Sequence, residues 1–571
     1  METNQENPLQ LEIKKQKVNP LLLAGIAVSA AAVIVAGVVW FFVANVIVNG
    51  RVYPRNAEFL NLRGEELTLE QYDAIRAKLP DCQLYWNVPF QGATYPENTE
   101  ELTVTALTDA DVAALDYFTQ LKTVHAEGCR DYPQLQDLRL RRTDVEVCYQ
   151  ITLGGTVYDW NATEVSVNAL TEAELPLFAY LPQLTTVDAT QCRDFTVLEK
   201  LESMYPDLDV CYQITLGGET VDKNVEEVIA TGMTDDEIDT LKYLSNLKKL
   251  HLVDPKMSAQ NLFALTDTYP GVSISWEVTV LGKSVAHDAT EVDLMAAISP
   301  EGAAIYAKAA SAPIQGDRDD TVWQFATKYA DPLPNKTAET ADLIAQAEAA
   351  MEYLPNVELV NMCGVELDNE AMAAFRERHR DDYKVVWTVR LGGMNARTDT
   401  PYFMPIKSHV YYFQDHESGN LKYCEDIVAL DLGHMAIHDL SFVKYMPKLK
   451  YLILAHTQVS DITPLESCKS LVFLELDWSI VRDYTPLKGC TALEDLNLGK
   501  TYAKVDPILE MTWLKHLWFI DRSADVQIKL RETFEETETQ LFINGEFTVS
   551  GGWRDLPNYF AMRDALRMGY M

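Results

Sequence analysis

Positive charge is scarce in this 571-residue chain: 48 Lys and Arg stand against 85 Asp and Glu, a formal net charge of −37. Phosphate backbones are held by cationic side chains, so this balance excludes nucleic acid as a partner. It argues equally against affinity for an anionic membrane surface or cell-wall polymer. The motifs of common reaction centres are missing as well. There is no G-x-S-x-G and no dinucleotide fingerprint, and Gly282-Lys-Ser and Gly499-Lys-Thr lack the glycine five residues earlier that a phosphate loop requires. His379-Arg-Asp has Val386 where a kinase catalytic loop places its asparagine, and His416-Glu has no second histidine at helical spacing. The nine cysteines contain no C-x-x-C, and Cys129 with Cys192 and Cys148 with Cys211 stand 63 apart as repeat positions. They read as small buried apolar side chains rather than a disulfide framework or a metal site. Catalytic residues, metals and cofactors are therefore all expected to be none, and the chain is not expected to be an enzyme.

What is present begins with an apolar run. From Leu21 to Val48 no charged residue occurs, and Trp40 stands near its end. About 20 apolar residues in a helix span a bilayer core, whereas a signal peptide has an apolar region of roughly 7–15. The expected plan is a tail over 1–20, a transmembrane helix over 21–43 and a juxtamembrane linker over 44–56. No L-P-x-T-G sorting signal is found, which leaves this helix as the expected anchor. Lys14, Lys15 and Lys17 before the run match Arg51, Arg55 and Arg63 after it. A short lysine-bearing tail is more easily retained inside than moved across, so the large domain is expected outside a plasma membrane. The alternative is an inner-membrane scaffold with its repeats on the cytoplasmic side.

The last third carries a period. Ile427-Leu430-Leu432, Leu449-Leu452-Leu454, Leu471-Leu474-Leu476, Leu493-Leu496-Leu498 and Leu514-Leu517-Phe519 step by 22, 22, 22 and 21 residues. Such L-x-x-L-x-L spacing makes a short strand whose apolar edge is buried only by stacking on the next turn. Asp439-Leu-Ser-Phe-Val, Asp461-Ile-Thr-Pro-Leu465 and Asp483-Tyr-Thr-Pro-Leu487 repeat on the return path. Over 425–521 this combination resembles the internalin-type leucine-rich repeats of bacterial surface proteins. The asparagine slot of that pattern holds Met435, Thr457, Ser479 and Thr501, whose hydroxyls can still bond nearby backbone. The resemblance implies an α/β leucine-rich repeat solenoid and adhesion or protein binding, with no catalytic residue.

A longer unit fills 57–420. Trp86, Tyr149, Tyr212, Trp276 and Trp387 stand at steps of 63, 63, 64 and 111, each followed six residues later by a glycine; Tyr117, Tyr180, Tyr243 and Tyr353 keep the same beat. One unit reads as strand 163–169, helix 171–180, strand 184–189, helix 194–204 and strand 208–216. The Leu-Gly-Gly that ends it is either part of a third solenoid turn or the tip of a projecting hairpin. An Ala-rich insertion over 297–345 is expected to be helical, with a polar loop at Gln315-Gly-Asp-Arg-Asp-Asp. Regular repeats occupy 421–521. A cap over 522–571 is expected to turn at Asn544-Gly545 and end in a helix near 555–568.

A ligand would meet the outward columns of the regular strands. One holds Ala429, Tyr451, Phe473, Asp495 and His516; the next holds Asp431, Ile453, Glu475, Asn497 and Trp518; His456 and Trp478 lie one step on. Tyr451, Ile453, Phe473, Trp478, His516 and Trp518 are the binding candidates, for a protein or glycan, because exposed aromatics concentrate at interface hot spots. The competing outcome is that the insertion or the final helix folds over them. On the binding reading, Tyr451→Ala with Phe473→Ala weakens partner capture and leaves the melting temperature nearly unchanged.

Overall fold

The computed structural model describes residues 20–48, 50–310, 332–405, 413–501, 504–520, 523–543 and 551–568, without the side chains at 20–24, 26, 27, 309 and 310. The N-terminal lysines, the polar loop at 315–320 and the turn at Asn544-Gly545 lie outside these residues. The chain divides into two compact units, Met1–Ile214 and Thr215–Met571.

The first unit opens with the helix Pro20–Ala44, whose 25 residues include no charge. Val33, Ile34 and Trp40 are exposed along it. Among the described residues no helix is long and apolar enough to cross a membrane. The stretch read as a linker holds a hairpin, Asn45–Val48 against Arg51–Pro54, turned at Gly50.

The long unit then shows its plan. Strands Glu101–Thr103, Thr123–Ala126 and Glu146–Leu153 lie parallel, separated by helices Asp109–Leu115 and Tyr132–Arg141. The third strand continues into an antiparallel pair with Thr156–Asp159. The two readings of Leu-Gly-Gly thus resolve into one: three parallel strands form the stack, and the last runs on as a projecting hairpin. Glycine is required at its tip. Gly154 and Gly155 adopt φ of 55° and 80°, and a Cβ on Gly154 would lie 2.4 Å from the Ala169 carbonyl oxygen.

The next copy repeats it with Glu164–Ser166, Thr186–Asp188 and Asp209–Cys211, placing Val165, Val187 and Val210 in one buried row. Its first return segment, Glu172–Tyr180, is a 3-10 helix with Pro176 inside, where the missing N–H forbids a regular α-helical ladder. One member of the 63-residue beat of aromatics shows what it does: Tyr149 is buried and its hydroxyl donates to the Tyr180 carbonyl at 2.6 Å, tying its repeat to the next.

The second unit contains two such copies and the regular repeats. In the first copy Glu227–Thr231, Lys249–Val253 and Ser273–Val280 lead to a hairpin with Lys283–Ala286. In the second, Glu291–Asp293 pairs with Leu359–Met362 across the insertion, whose described helices are Met295–Ile298, Pro300–Ala310 and Thr340–Met351. Trp276 Nε1–H donates to the Tyr353 carbonyl at 2.7 Å, carrying the same tie across the insertion.

Seven parallel strands follow: Tyr402–Phe403, Ala429–Asp431, Tyr451–Ile453, Phe473–Glu475, Asp495–Asn497, His516–Trp518 and Gln540–Phe542. Leu430, Leu452, Leu474, Leu496 and Leu517 are in register and fully buried. The repeated aspartates cap the return turns: Asp461 accepts from Thr463 N–H and Asp483 from Thr485 N–H, both at 2.9 Å. In the asparagine slot Thr457 donates to the Leu454 carbonyl at 2.8 Å and Thr501 to Leu498 at 2.9 Å. A threonine hydroxyl thus closes the turn at these two positions. All nine cysteines are free thiols, and seven of them are buried. These stacked strand–turn units make a leucine-rich repeat solenoid.

Candidate recognition site on the strand face

The two outward columns are aligned as the 22-residue step requires. Ala429 pairs with Tyr451, Tyr451 with Phe473, Phe473 with Asp495 and Asp495 with His516; Asp431, Ile453, Glu475, Asn497 and Trp518 line up beside them. Most of this face is covered. Phe473 is 0 % exposed, Trp518 1 % and Ile453 8 %, and Tyr451 is partly buried against the same cluster. The cover is the protein's own C-terminal segment, through Trp553, Leu556, Met562 and Leu566. Trp553 stands 5.6 Å from Phe473 and 6.2 Å from Trp518, ring to ring, and its Nε1–H donates to Glu475 Oε1 at 2.7 Å. Asn558 donates to Glu494 at 2.9 Å.

The six candidates therefore separate. Ile453, Phe473 and Trp518 are core of the second unit and Tyr451 lies at its edge, because burying apolar area beneath the cap is favourable wherever a cap exists. His516 is half-buried and bonds Asp495 at 2.7 Å. Trp478 remains 49 % exposed. The expected thermal behaviour changes accordingly. Phe473→Ala should cost about 3–5 kcal/mol, read as a large fall in melting temperature; a shift of a degree or less would return Phe473 to the surface.

Beside the cap lies a second column that the period pointed to only in part. His434, His456, Trp478 and Lys500 occupy the turn after each strand, all with left-handed φ between 54° and 67°. Non-glycine residues there are strained by about 1–2 kcal/mol each, and the stack offsets this. The His434 and His456 rings lie 4.5 Å apart, His456 and Trp478 5.4 Å apart, and the Lys500 ammonium sits 4.5 Å from the centre of the Trp478 ring. The sequence placed His456 and Trp478 one step beyond the outward columns, but not the left-handed backbone they share with His434 and Lys500.

Between this column and the cap opens a cavity of ≈ 480 Å³. Asp431, Glu475, Asp477 and Asn497 line it from the repeats, and Arg554, Tyr559 and Met562 from the cap. Its acids are perturbed. Burial, with Asp431 and Asp477 nearby and against the Trp553 hydrogen bond, pushes Glu475 up to about 7. Burial pushes Asp477 up to about 6, opposed by Lys500. His456 is lowered by burial and by its neighbours His434 and Lys500. Asn497 is 1 % exposed; its Oδ1 accepts from Gly499 N–H at 3.0 Å, while its Nδ2 has no acceptor among the described residues. Such a cavity can hold a polar ligand.

No protein-family model matches the chain, and no curated protein matches it. Solved structures similar to it include an internalin C2 from Listeria monocytogenes, 19% identical over 25% of this chain and 73% of that one, TM-score 0.19. A second Listeria monocytogenes internalin is 14% identical, covering 83% of this chain and 91% of the other, TM-score 0.18. A leucine-rich repeat protein of Leptospira interrogans is 10% identical, covering 77% and 93%, TM-score 0.21. At these values the repeat assignment rests on the register and burial of the strands themselves.

Proposed function

We propose that this is a membrane-anchored, non-catalytic surface protein whose leucine-rich repeat solenoid recognises a protein or glycan partner. The observation that carries the reading is the cavity beside the cap. It is built from residues at one fixed step along the repeats and holds buried polar groups that the fold leaves incompletely satisfied. Anchoring by the segment around 21–43 is supported by its uncharged sequence and by the exposed apolar side chains of the helix Pro20–Ala44. An outside location suits an acidic body, which an anionic envelope repels and keeps in solution.

Protease treatment of intact cells tests the topology. Loss of the 57–571 portion is expected, whereas full protection would give the scaffold reading with repeats on the cytoplasmic side. Cross-linking of the full chain in its own membrane, followed by identification of joined species, tests recognition. A partner joined through the second unit supports it, and no joined species at saturating cross-linker removes it.

A further inference from the structure

Three carboxyl groups, Asp431, Glu475 and Asp477, face one cavity, and the chain supplies two cations there, both drawn to aromatic rings. Lys500 lies over Trp478 at 4.5 Å and Arg554 over Tyr559 at 6.0 Å. Glu475 and Asp477 remain hard to ionise even though Arg554 and Lys500 act in the opposite sense. Among the described residues no set of His, Cys, Asp and Glu side chains is arranged to hold a metal ion. The charge that fits is therefore organic. Independently, the Asn497 amide is buried, lines the same cavity, and has an Nδ2 group without an acceptor. A buried donor left unmade is unfavourable, and a ligand carbonyl at that position would recover the loss.

We propose that the cavity receives a cationic side chain, lysine or arginine, of a peptide segment in a partner protein. Asp431, Glu475 and Asp477 take the charge, and Asn497 takes a carbonyl oxygen of the same segment. The inference rests on the recognition reading above and names the chemistry of the partner at that site. The net charge of −37 favours the same choice, since it speeds encounter with a basic partner and opposes an acidic one. Binding a cation also stabilises ionised carboxyls, so near pH 6.5 it must release protons from Glu475 and Asp477. His434, His456, Lys500, Arg554 and Tyr559 are the other charged or titratable side chains that line the cavity with Asp431.

Calorimetry on the full chain in detergent tests this with four probes: Nα-acetyl-lysine methylamide, its arginine counterpart, the neutral norleucine counterpart, and cadaverine. The lysine and arginine derivatives should bind, the norleucine derivative about tenfold or more weakly. Heats at pH 6.5 should differ between buffers of different ionisation enthalpy, reporting proton release. Glu475→Gln with Asp477→Asn should weaken the lysine derivative about tenfold or more, while a single cooperative melting transition no lower than the parent's shows that the fold survives. Asn497→Ala should weaken the lysine derivative and leave cadaverine unaffected, which a merely structural asparagine would not do.

Equal binding of the norleucine derivative, or none of the cationic ones, overturns the proposal. Cadaverine binding as tightly as the lysine derivative overturns its peptide part and assigns the site to free amines. A partner captured on cells while every probe fails would leave the recognition reading standing and end this inference alone.

Discussion

Trp553→Ala should uncover the strand face. The indole is fully buried, packs against Phe473, Trp518 and Phe542, and donates to Glu475. Truncating a buried tryptophan costs about 3–5 kcal/mol, and it also strips Glu475 of the indole donor. The cap also meets the repeats through Asn558, which donates to Glu494. The loss should therefore fall on cap docking before it falls on the stack, whose leucine row lies on the inner side of the strands. Hydrogen exchange should show amides of the helix Pro557–Ala565 losing protection by about a hundredfold or more, with those of Leu452 and Leu474 little changed. A hydrophobic dye should bind the variant more than the parent. Uniform loss of protection through every repeat would show that cap and stack melt as one.

The second large effect is on pH. A carboxyl normally titrating near 4.5 that is held at about 7 keeps its proton in the folded state after the unfolded chain has lost it. Between those two values the folded state binds more protons, so stability falls as pH rises and levels off above about 7. Glu475 alone contributes up to about 3 kcal/mol to that fall, and Asp477, held at about 6, adds in the same direction. Thermal melting of the parent should thus drop between pH 5 and 7.5. Glu475→Gln keeps an acceptor for Trp553 and removes the charge, so its melting should depend less on pH and exceed the parent's at pH 7.5. Parallel curves for the two proteins would place the titration elsewhere.

Periodicity carried the fold well. The strands and helices between 163 and 216 match the expected spans within a few residues, and both outward columns were assigned in the register that the sheet adopts. That success has a local cause: each repeat must bury the same edge, so its apolar spacing reports its own geometry. The cover over those columns has no period. Trp553 meets Glu475 across 78 residues, and nothing in Trp553, Leu556, Met562 and Leu566 marks them as complementary to a face so far upstream. Aromatics at outward positions looked like a site for a partner because their actual partner lies in the same chain. The left-handed His434–Lys500 column was illegible for another reason: φ is not written in composition, and tryptophan and lysine are unusual there.

The returning C-terminal segment also acts as a ruler. Its residues Trp553, Leu556, Met562 and Leu566 share one buried cluster with Tyr402 and Met404 at the first strand and Trp518 near the last. Seven strands about 4.8 Å apart cover roughly 29 Å, and the segment has a fixed number of residues with which to cross that distance. A duplicated 22-residue coil inserted midway would be accepted by its neighbours and still leave Tyr402 unroofed, with Trp553 one rung away from Glu475. Arrays of this kind ordinarily gain and lose coils freely; here an added coil would have to be matched by the segment that covers the strand face.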